Sequence, residues 1–488
     1  MNMKRSLINM AVLSTLGLAG TAGAVTTGVS TGEVLLYPYY SVRNGNDTLI
    51  TVVNTTGSAK AVKVRFLEAK NSREVLDFNL YLSKHDVWTG VVTTTPAGAK
   101  VKTTDTSCTV PAIPVDGQEF RNFQYIGDNA DFEDESLDRT REGYIEIIEM
   151  GEIIVSDLND IDPSSATVLF DDAVTHSSGV PKNCAAVSNG WKTSGVFFGT
   201  TLPGDKGLSA PSGGLMGTGT LINVAKGTDF SYDPVVMDNF TVIAKHSEPG
   251  DLLPSLENVF PKRSVTFYDG TAVTSNWTNN ANAADPVSAL LMRTAVLNEF
   301  TVEPALAAGT DWVVNFPTKR FYIDKDTVNS SDPDSLDWNF ERPFTQDFKQ
   351  GGACEEIGLT IYDREERTTT SDVDFSPRPP SGKNSLCWEV NVITFNSTNV
   401  LGSPLAKNVP NQGFNSGWLN LSFPTTVSRS EGSWDRVMIS DENHTYSGLP
   451  VIGFGVQQYV NGNIDGALSN YGGNFVHKYR RSISNYPQ

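Results

Sequence analysis

The residues best suited to chemistry in this chain are its acids. In EGYIEIIEMG, Glu142, Glu146 and Glu149 stand close enough to suggest the paired carboxylates that cleave glycosidic bonds. Side chains of a strand alternate between two faces, so Glu142 and Glu146 share one face and Glu149 takes the other. Acids are plentiful here, and solvated strand charges are the plainer account of the trio. Denser clusters occur in two loops. DNADFEDESLD carries Asp128, Asp131, Glu133, Asp134, Glu135 and Asp138 with no base among them, and DKDTVNSSDPD carries Asp324, Asp326, Asp332 and Asp334. Oxygen-rich loops recruit calcium, a hard cation that relieves mutual repulsion and stiffens the loop. The expected ligands are Asp128, Asp131, Glu133, Asp134, Asp324 and Asp326. Neither loop has the glycine and distal glutamate of an EF-hand, and solvated acidic loops are the competing reading.

Other chemistry finds less support. His85, His176, His246, His444 and His477 fall in no HExxH or HxH pattern and show no i, i+4 pair. No GxSxG nucleophile elbow occurs, and the glycines of APSGGLMGTGT suit a tight turn or bulge. Trp88, Trp191, Trp312, Trp338, Trp418 and Trp434, with Tyr37, Tyr39 and Tyr40 around Pro38, could stack on sugars or fill a core. No catalytic constellation is complete, so the chain is expected to be non-enzymatic.

The elements that would position these residues are mostly strands. In AVKVRFLE, Val62, Val64 and Phe66 alternate with Lys63 and Arg65. In VLDFNLYL, Leu76, Phe78, Leu80 and Leu82 alternate with Asp77, Asn79 and Tyr81. A period of two predicts strands with one buried and one wet face. Together with TLITVVNTTGS before and HDVWTGVVTTT after, the spacing predicts an immunoglobulin-like β-sandwich over 25–101. GYIEIIEMGEIIV, TLINVAKG, FTVIA, SVTFYDG, DWVVNFP, RFYID, GLTIYD and CWEVNVITF read as further short strands. The expected class is mainly β: that sandwich, a middle β-rich region over 102–348, and a C-terminal β-rich unit over 349–488. Further antiparallel sandwich units with long loops, such as 156–165 and 371–384, make up the remainder. One helix is expected, over 284–300, with Leu290, Leu291, Ala295 and Leu297 on its apolar face.

Composition bounds the destination. Lys4 and Arg5, the apolar residues 7–20 and Ala22-Gly23-Ala24 predict a secretory signal over 1–24, too short to span a bilayer. No later run predicts a transmembrane helix. The net charge is −19 at pH 7, a field that repels phosphate backbones and excludes nucleic acid as a natural partner. Four cysteines in an exported chain are a disulfide number. Nearest-neighbour pairing gives Cys108–Cys184 and Cys354–Cys387, the second stapling CEEIGLTIYDREER to SLCWEVNVITF as adjacent strands.

Several blocks carry a resemblance that runs through most of the chain: EVLLYPYYSV, VKVRFLEAKNSREVLDFNLYLS, REGYIEIIEMG, GVPKNCAA, GGLMGTGTLINV, TDWVVNFPTKRFY, YDREE, LCWEVNVITF, GLPVIGFGVQQYVNG and NYGGNFVHKYRR. Together they resemble a group of exported proteins of Gram-negative bacteria, some labelled surface-layer or cell-surface proteins. The resemblance implies residence at the cell surface or outside the cell, with the periplasm as the other compartment, and brings no catalytic residues. The expected function is a structural or adhesive protein, surface-layer-like, that self-associates or meets a surface glycan or protein. The alternative is a secreted carbohydrate-binding protein or a glycoside hydrolase using a carboxylate pair.

Overall fold

The computed structural model describes residues 23–159, 165–199, 204–279, 282–323, 341–369, 384–410, 413–429 and 432–487. All but the last two residues of the expected signal lie outside them, as do Asp324, Asp326, Asp332, Asp334, Trp338 and most of the 371–384 loop. The chain is mainly β, 47% strand and 10% helix, and the strands pair almost entirely antiparallel. No helix among the described residues is long and apolar enough to cross a membrane.

Two sandwiches make up the molecule. The first has a ten-stranded sheet running Thr271–Asn276, Arg263–Tyr268, Val25–Thr27, Val235–Asp238, Val34–Ser41, Glu142–Ile153, Lys60–Glu68, Glu74–Leu82 and Cys108–Val110, with Leu208–Ser209 added on Glu142–Ile153. Its partner sheet runs Thr228–Tyr232, Leu215–Asn223, Asp47–Asn54, Val87–Thr94, Ala99–Lys102 and Gln118–Glu119. Val62, Val64, Phe66, Phe78 and Trp88 fill the space between them. Residues 25–101 supply strands to both sheets but complete neither, because their neighbours come from 142–153 and 215–223. A self-contained immunoglobulin-like unit over 25–101 is therefore not what forms.

The second sandwich has an inner sheet of Ala406–Val409, Val390–Phe395, Ala308–Asn315, Ile452–Ile464 and Ala467–Val476. Its outer sheet holds Thr368–Thr369, Gly358–Asp363, Ser416–Ser422, Ala295–Thr301 and Lys478–Arg480. Strands from both sides of residue 348 pair in each sheet, so the expected division there runs through the sandwich. Its central strands, Ala308–Asn315 and Val390–Phe395, are dry on both faces. Val313 and Val392 face the first core, whereas Trp312, Val314 and Ile393 face the second. Tyr232 and Phe454 stack across the junction with ring centroids 4.7 Å apart.

The strand Val34–Ser41 is buried along its whole length and carries Pro38 in mid-sheet. Proline cannot donate to a ladder. The register of Glu142–Ile153 shifts between Gly143 and Ile145 opposite it, and the Pro38 carbonyl accepts from Asn315 Nδ2 at 2.9 Å. The bulge thus absorbs the missing donor. Tyr37, Tyr39 and Tyr40 are core residues whose hydroxyls donate to Thr51 O, Glu142 Oε2 and Thr140 O. Gly217 is required by the first of these, since a Cβ there would lie 2.1 Å from the Tyr37 hydroxyl.

Three local expectations change. The helix expected over 284–300 stops at Leu291, and Ala295–Thr301 is a strand because Ser416–Ser422 and Lys478–Arg480 are available on either side. RFYID forms a short helix, Arg320–Ile323, and FTVIA makes only an isolated bridge between Thr241 and Phe260. Both disulfides form as expected. Cys108–Cys184 ties an edge strand to the helix Cys184–Gly190. Around Cys354–Cys387 only a two-residue ladder, Glu355–Glu356 with Ser385–Leu386, is shared. Beyond it Gly358–Asp363 enters the outer sheet and Val390–Phe395 the inner one, so the bridge clamps the sandwich at the point where its sheets part.

Candidate functional site

The wet face expected on strands 60–68 and 74–82 is buried. Lys63 and Arg65 have no exposed surface, nor does Asn79 on the neighbouring strand. Parity put these side chains on one face, and what closes over that face is the segment 246–250. Lys63 Nζ donates to Glu248 O at 3.2 Å, Asn79 Nδ2 donates to Ser247 O at 2.9 Å, and Gly250 N donates to Asp77 Oδ1 at 3.0 Å.

This face is stable because its charges cancel in pairs. Arg65 reaches Glu74 at 2.6 Å and Glu146 at 2.7 Å, and Lys63 reaches Asp77 at 2.5 Å; on the opposite face Lys60 reaches Glu149 at 2.8 Å. Burial opposes the Arg65 charge, yet Glu74 and Glu146 hold the guanidinium above its ordinary value. Low dielectric makes such pairs mutually dependent: removing one member leaves the other charged, dry and alone.

The expected carboxylate trio is consumed by pairings of this kind on both faces. Glu146 is bound to Arg65. Glu149 bonds Lys60 and accepts from Ser212 N and Gly213 N. Glu142 accepts from Tyr39 and lies 3.6 Å from Arg43. Burial raises the carboxyls of Glu142 and Glu149. The three have separate partners, and the structure brings no two of them to a common cleft.

The acidic loop is likewise spoken for. Asp131 is held by Arg139, whose Nη1 donates to Oδ1 at 2.7 Å, and Glu133 bonds Lys70 at 2.7 Å. Asp134 accepts from Ser136 Oγ at 2.6 Å, and Asp138 bonds both Arg43 and Arg141 at 2.8 Å. The cations come from outside the eleven-residue window, which is why the window alone suggested calcium. Asp128 is exposed. No cluster of three or more metal-ligating side chains is found among the described residues.

The histidines divide similarly. His246 sits among Tyr81, Phe170, Trp191 and Phe197. Its Nδ1 contacts Lys206 O at 2.8 Å and its Nε2 contacts Tyr81 Oη at 2.9 Å, and burial pushes it down to about 3. His477 bonds Val313 O at 3.0 Å and is pushed down to about 4 by burial. His444 Nδ1 meets Ser275 Oγ at 2.9 Å inside a small core, and His85 is exposed. His176 comes closest to a triad: Asp86 lies 3.6 Å from Nδ1, with Ser83 Oγ 3.3 Å from the same nitrogen and Thr106 Oγ1 3.4 Å from Nε2. A triad needs acid and hydroxyl on opposite nitrogens. Ser83 fails that test, and the Thr106 proton goes to Gly179 O at 3.0 Å.

One site holds two arginines that no carboxylate meets among the described residues. A cleft of about 480 Å³ lies between the sandwiches, walled by Val235, Val265, Leu291, Val296 and Val451 and rimmed by the exposed Phe267, Val476 and Tyr479. Arg293 and Arg481 both line it. They converge on the carbonyl oxygens that end the helix Asp285–Leu291. Arg293 Nη1 donates to Leu290 O at 3.0 Å and Met292 O at 2.8 Å, while Arg481 Nε donates to Met292 O at 3.3 Å and its Nη2 to Leu290 O. Tyr479 lies against both, 3.8 Å from the Arg293 guanidinium carbon and 5.7 Å from that of Arg481. Neither arginine has a carboxylate partner among the described residues, and no acid lines the cleft. No sequence signal marked this pair, because two arginines 188 positions apart look like ordinary surface charge. A second cleft, of about 340 Å³, is lined by Glu74 and Asp77, and both are already neutralised by Arg65 and Lys63.

Fold and site together define a disulfide-braced double β-sandwich with a cationic cleft at its junction. No protein-family model, curated protein or solved structure matches the chain.

Proposed function

We propose that this is an exported, non-enzymatic protein that works by contact, as a structural or adhesive component at the cell surface. The observation that carries the reading is the strand Ala467–Val476. It is the last strand of the inner sheet, ten residues long, with no charged residue and no proline. Leu468, Tyr471, Phe475 and Val476 are exposed along it, as are Val460 and Ile464 on the other arm of its hairpin. Thr228–Tyr232 of the first sandwich approaches it at Gly472, where a Cβ would lie 2.3 Å from Asp229 O, Asn470 Nδ2 donates to Lys226 O at 2.6 Å and Asn298 Nδ2 to Phe475 O at 2.7 Å. Beyond these contacts no backbone–backbone hydrogen bond reaches its outer edge among the described residues. Soluble proteins ordinarily blunt such an edge with charge, proline or a bulge. The part left unpaired is a template for strand addition by another chain. The disulfides suit an oxidising compartment, and the resemblance of the sequence blocks to exported surface proteins points the same way.

Light scattering after size exclusion tests the reading. Assembly should grow with concentration and be lost when Asn470 is replaced by proline. A monomer at every concentration would overturn assembly through this edge, and selective signal on a glycan array would favour the carbohydrate-binding alternative.

A further inference from the structure

The cleft between the sandwiches goes beyond that reading. Arg65, Lys60, Lys63, Arg139 and Arg436 each hold a carboxylate within 2.8 Å. Arg293 is as buried as a core residue and has none. Burial first, and then the neighbouring Arg481 charge, pull the Arg293 guanidinium below its ordinary value. A guanidinium nevertheless keeps its proton inside a protein, so the penalty persists as an unmet positive field. The carbonyl ends of the helix Asp285–Leu291 and the face of Tyr479 supply partial compensation, a fraction of one charge against two. The hydrogen bonds to those carbonyls occupy Nη1 of Arg293 and Nε and Nη2 of Arg481. Nε and Nη2 of Arg293 and Nη1 of Arg481 find no acceptor among the described residues. His477 adds no charge, since burial keeps it neutral and Val313 O takes its bond.

We propose that this cleft binds a small amphiphilic organic anion, its headgroup between Arg293 and Arg481 and its apolar body against Val235, Val265, Leu291 and Val451. The volume falls in the range of small-molecule sites, which pair apolar walls with a few placed polar groups. A planar carboxylate or a sulfate suits the remaining guanidinium donors, because charge-assisted bonds to such oxygens are the strongest a guanidinium makes. The exposed apolar rim of Phe267, Val476 and Tyr479 gives a tail its path inward.

Isothermal titration of the purified protein with decanoate, decyl sulfate, decanol, decyltrimethylammonium and acetate, all below their micellar range, tests this. Decanoate and decyl sulfate should bind with roughly micromolar Kd. Decanol and the cationic analogue should bind at least about tenfold more weakly, and acetate should give no heat. Arg481→Gln should weaken decanoate about tenfold or more. Val235→Trp keeps both arginines while filling the cleft, and should abolish binding; circular dichroism and a thermal melt establish that each variant is folded. Equal affinity for decanoate and decanol, no heat with either anion up to millimolar concentration, or full decanoate affinity in folded Val235→Trp would each overturn the proposal.

Discussion

The back face of the ten-stranded sheet and the cleft between the sandwiches bury arginine in opposite ways. At Arg65 the charge is dry and matched by two carboxylates at 2.6 and 2.7 Å. At Arg293 and Arg481 the charge meets only carbonyl dipoles and a tyrosine ring. The first arrangement is balanced in charge: every member depends on another, although Arg65 Nη2 and Glu146 Oε1 make no hydrogen bond. The second is electrostatically incomplete while its shape is already formed. A matched charge holds strands together; an unmatched one at a cavity wall is a demand for a ligand.

If this contrast is right, the two arginines respond differently to removal. Arg65→Met should destabilise by about 3–5 kcal/mol in denaturant unfolding, because Glu74 and Glu146 are left buried and facing each other. Replacing Cys108 and Cys184 together with alanine should cost about 2–5 kcal/mol. Their separation of 76 residues exceeds the 33 of Cys354–Cys387, so the chain-entropy account predicts the smaller loss for the second pair.

The pH dependence sharpens the same point for acids. Burial pushes Glu33 up to about 8 and Glu389 up to about 8, the latter despite the pull of Lys319 and Arg320. A carboxyl whose folded value is raised binds more protons folded than unfolded, so its stabilisation is lost as pH rises toward the folded value. His246 and His477 run the other way: their folded values are depressed, and they favour the fold increasingly as pH rises to about 6.5, the unfolded histidine value. The opposing trends overlap below that value. Of these four groups, only the two acids change charge from about pH 6.5 to 8, and their part in stability should fall by about 1–3 kcal/mol, read as a falling melting temperature. Constant stability across that window would contradict the burial assigned to Glu33 and Glu389. The smallest effect is expected at the cleft, where Arg481→Gln strands no carboxylate and should cost about 1 kcal/mol. A loss equal to that of Arg65→Met would mean the cleft arginines are structural after all.

Much of the architecture could be read from residue order, and its failures have specific causes. Alternation in AVKVRFLE placed Val62, Val64 and Phe66 inward correctly. It also placed Lys63 and Arg65 on one face, but called that face wet, because Glu146 lies on a strand 81 residues away from Arg65 and the covering segment 246–250 is farther still. Cysteine spacing was enough for both bridges. The pairing of the acidic loop was not legible in it, because its neutralising cations, Lys70, Arg43 and Arg139, lie outside the window that was read. The helix over 284–300 was overextended because Ala295–Thr301 owes its strand conformation to partners at 416–422 and 478–480. Charge balance between distant segments has no local signature, and the cleft arginines are the extreme case.

The central strands of the inner sheet, dry on both sides, have a consequence for how the molecule comes apart. A layer that closes two cores at once leaves no seam at which one half could be cut away intact. Trimming either sandwich would expose the Trp312 side or the Val313 side of a single ribbon, so protease nicks should be tolerated in loops without releasing a stable fragment, and melting should proceed as one event.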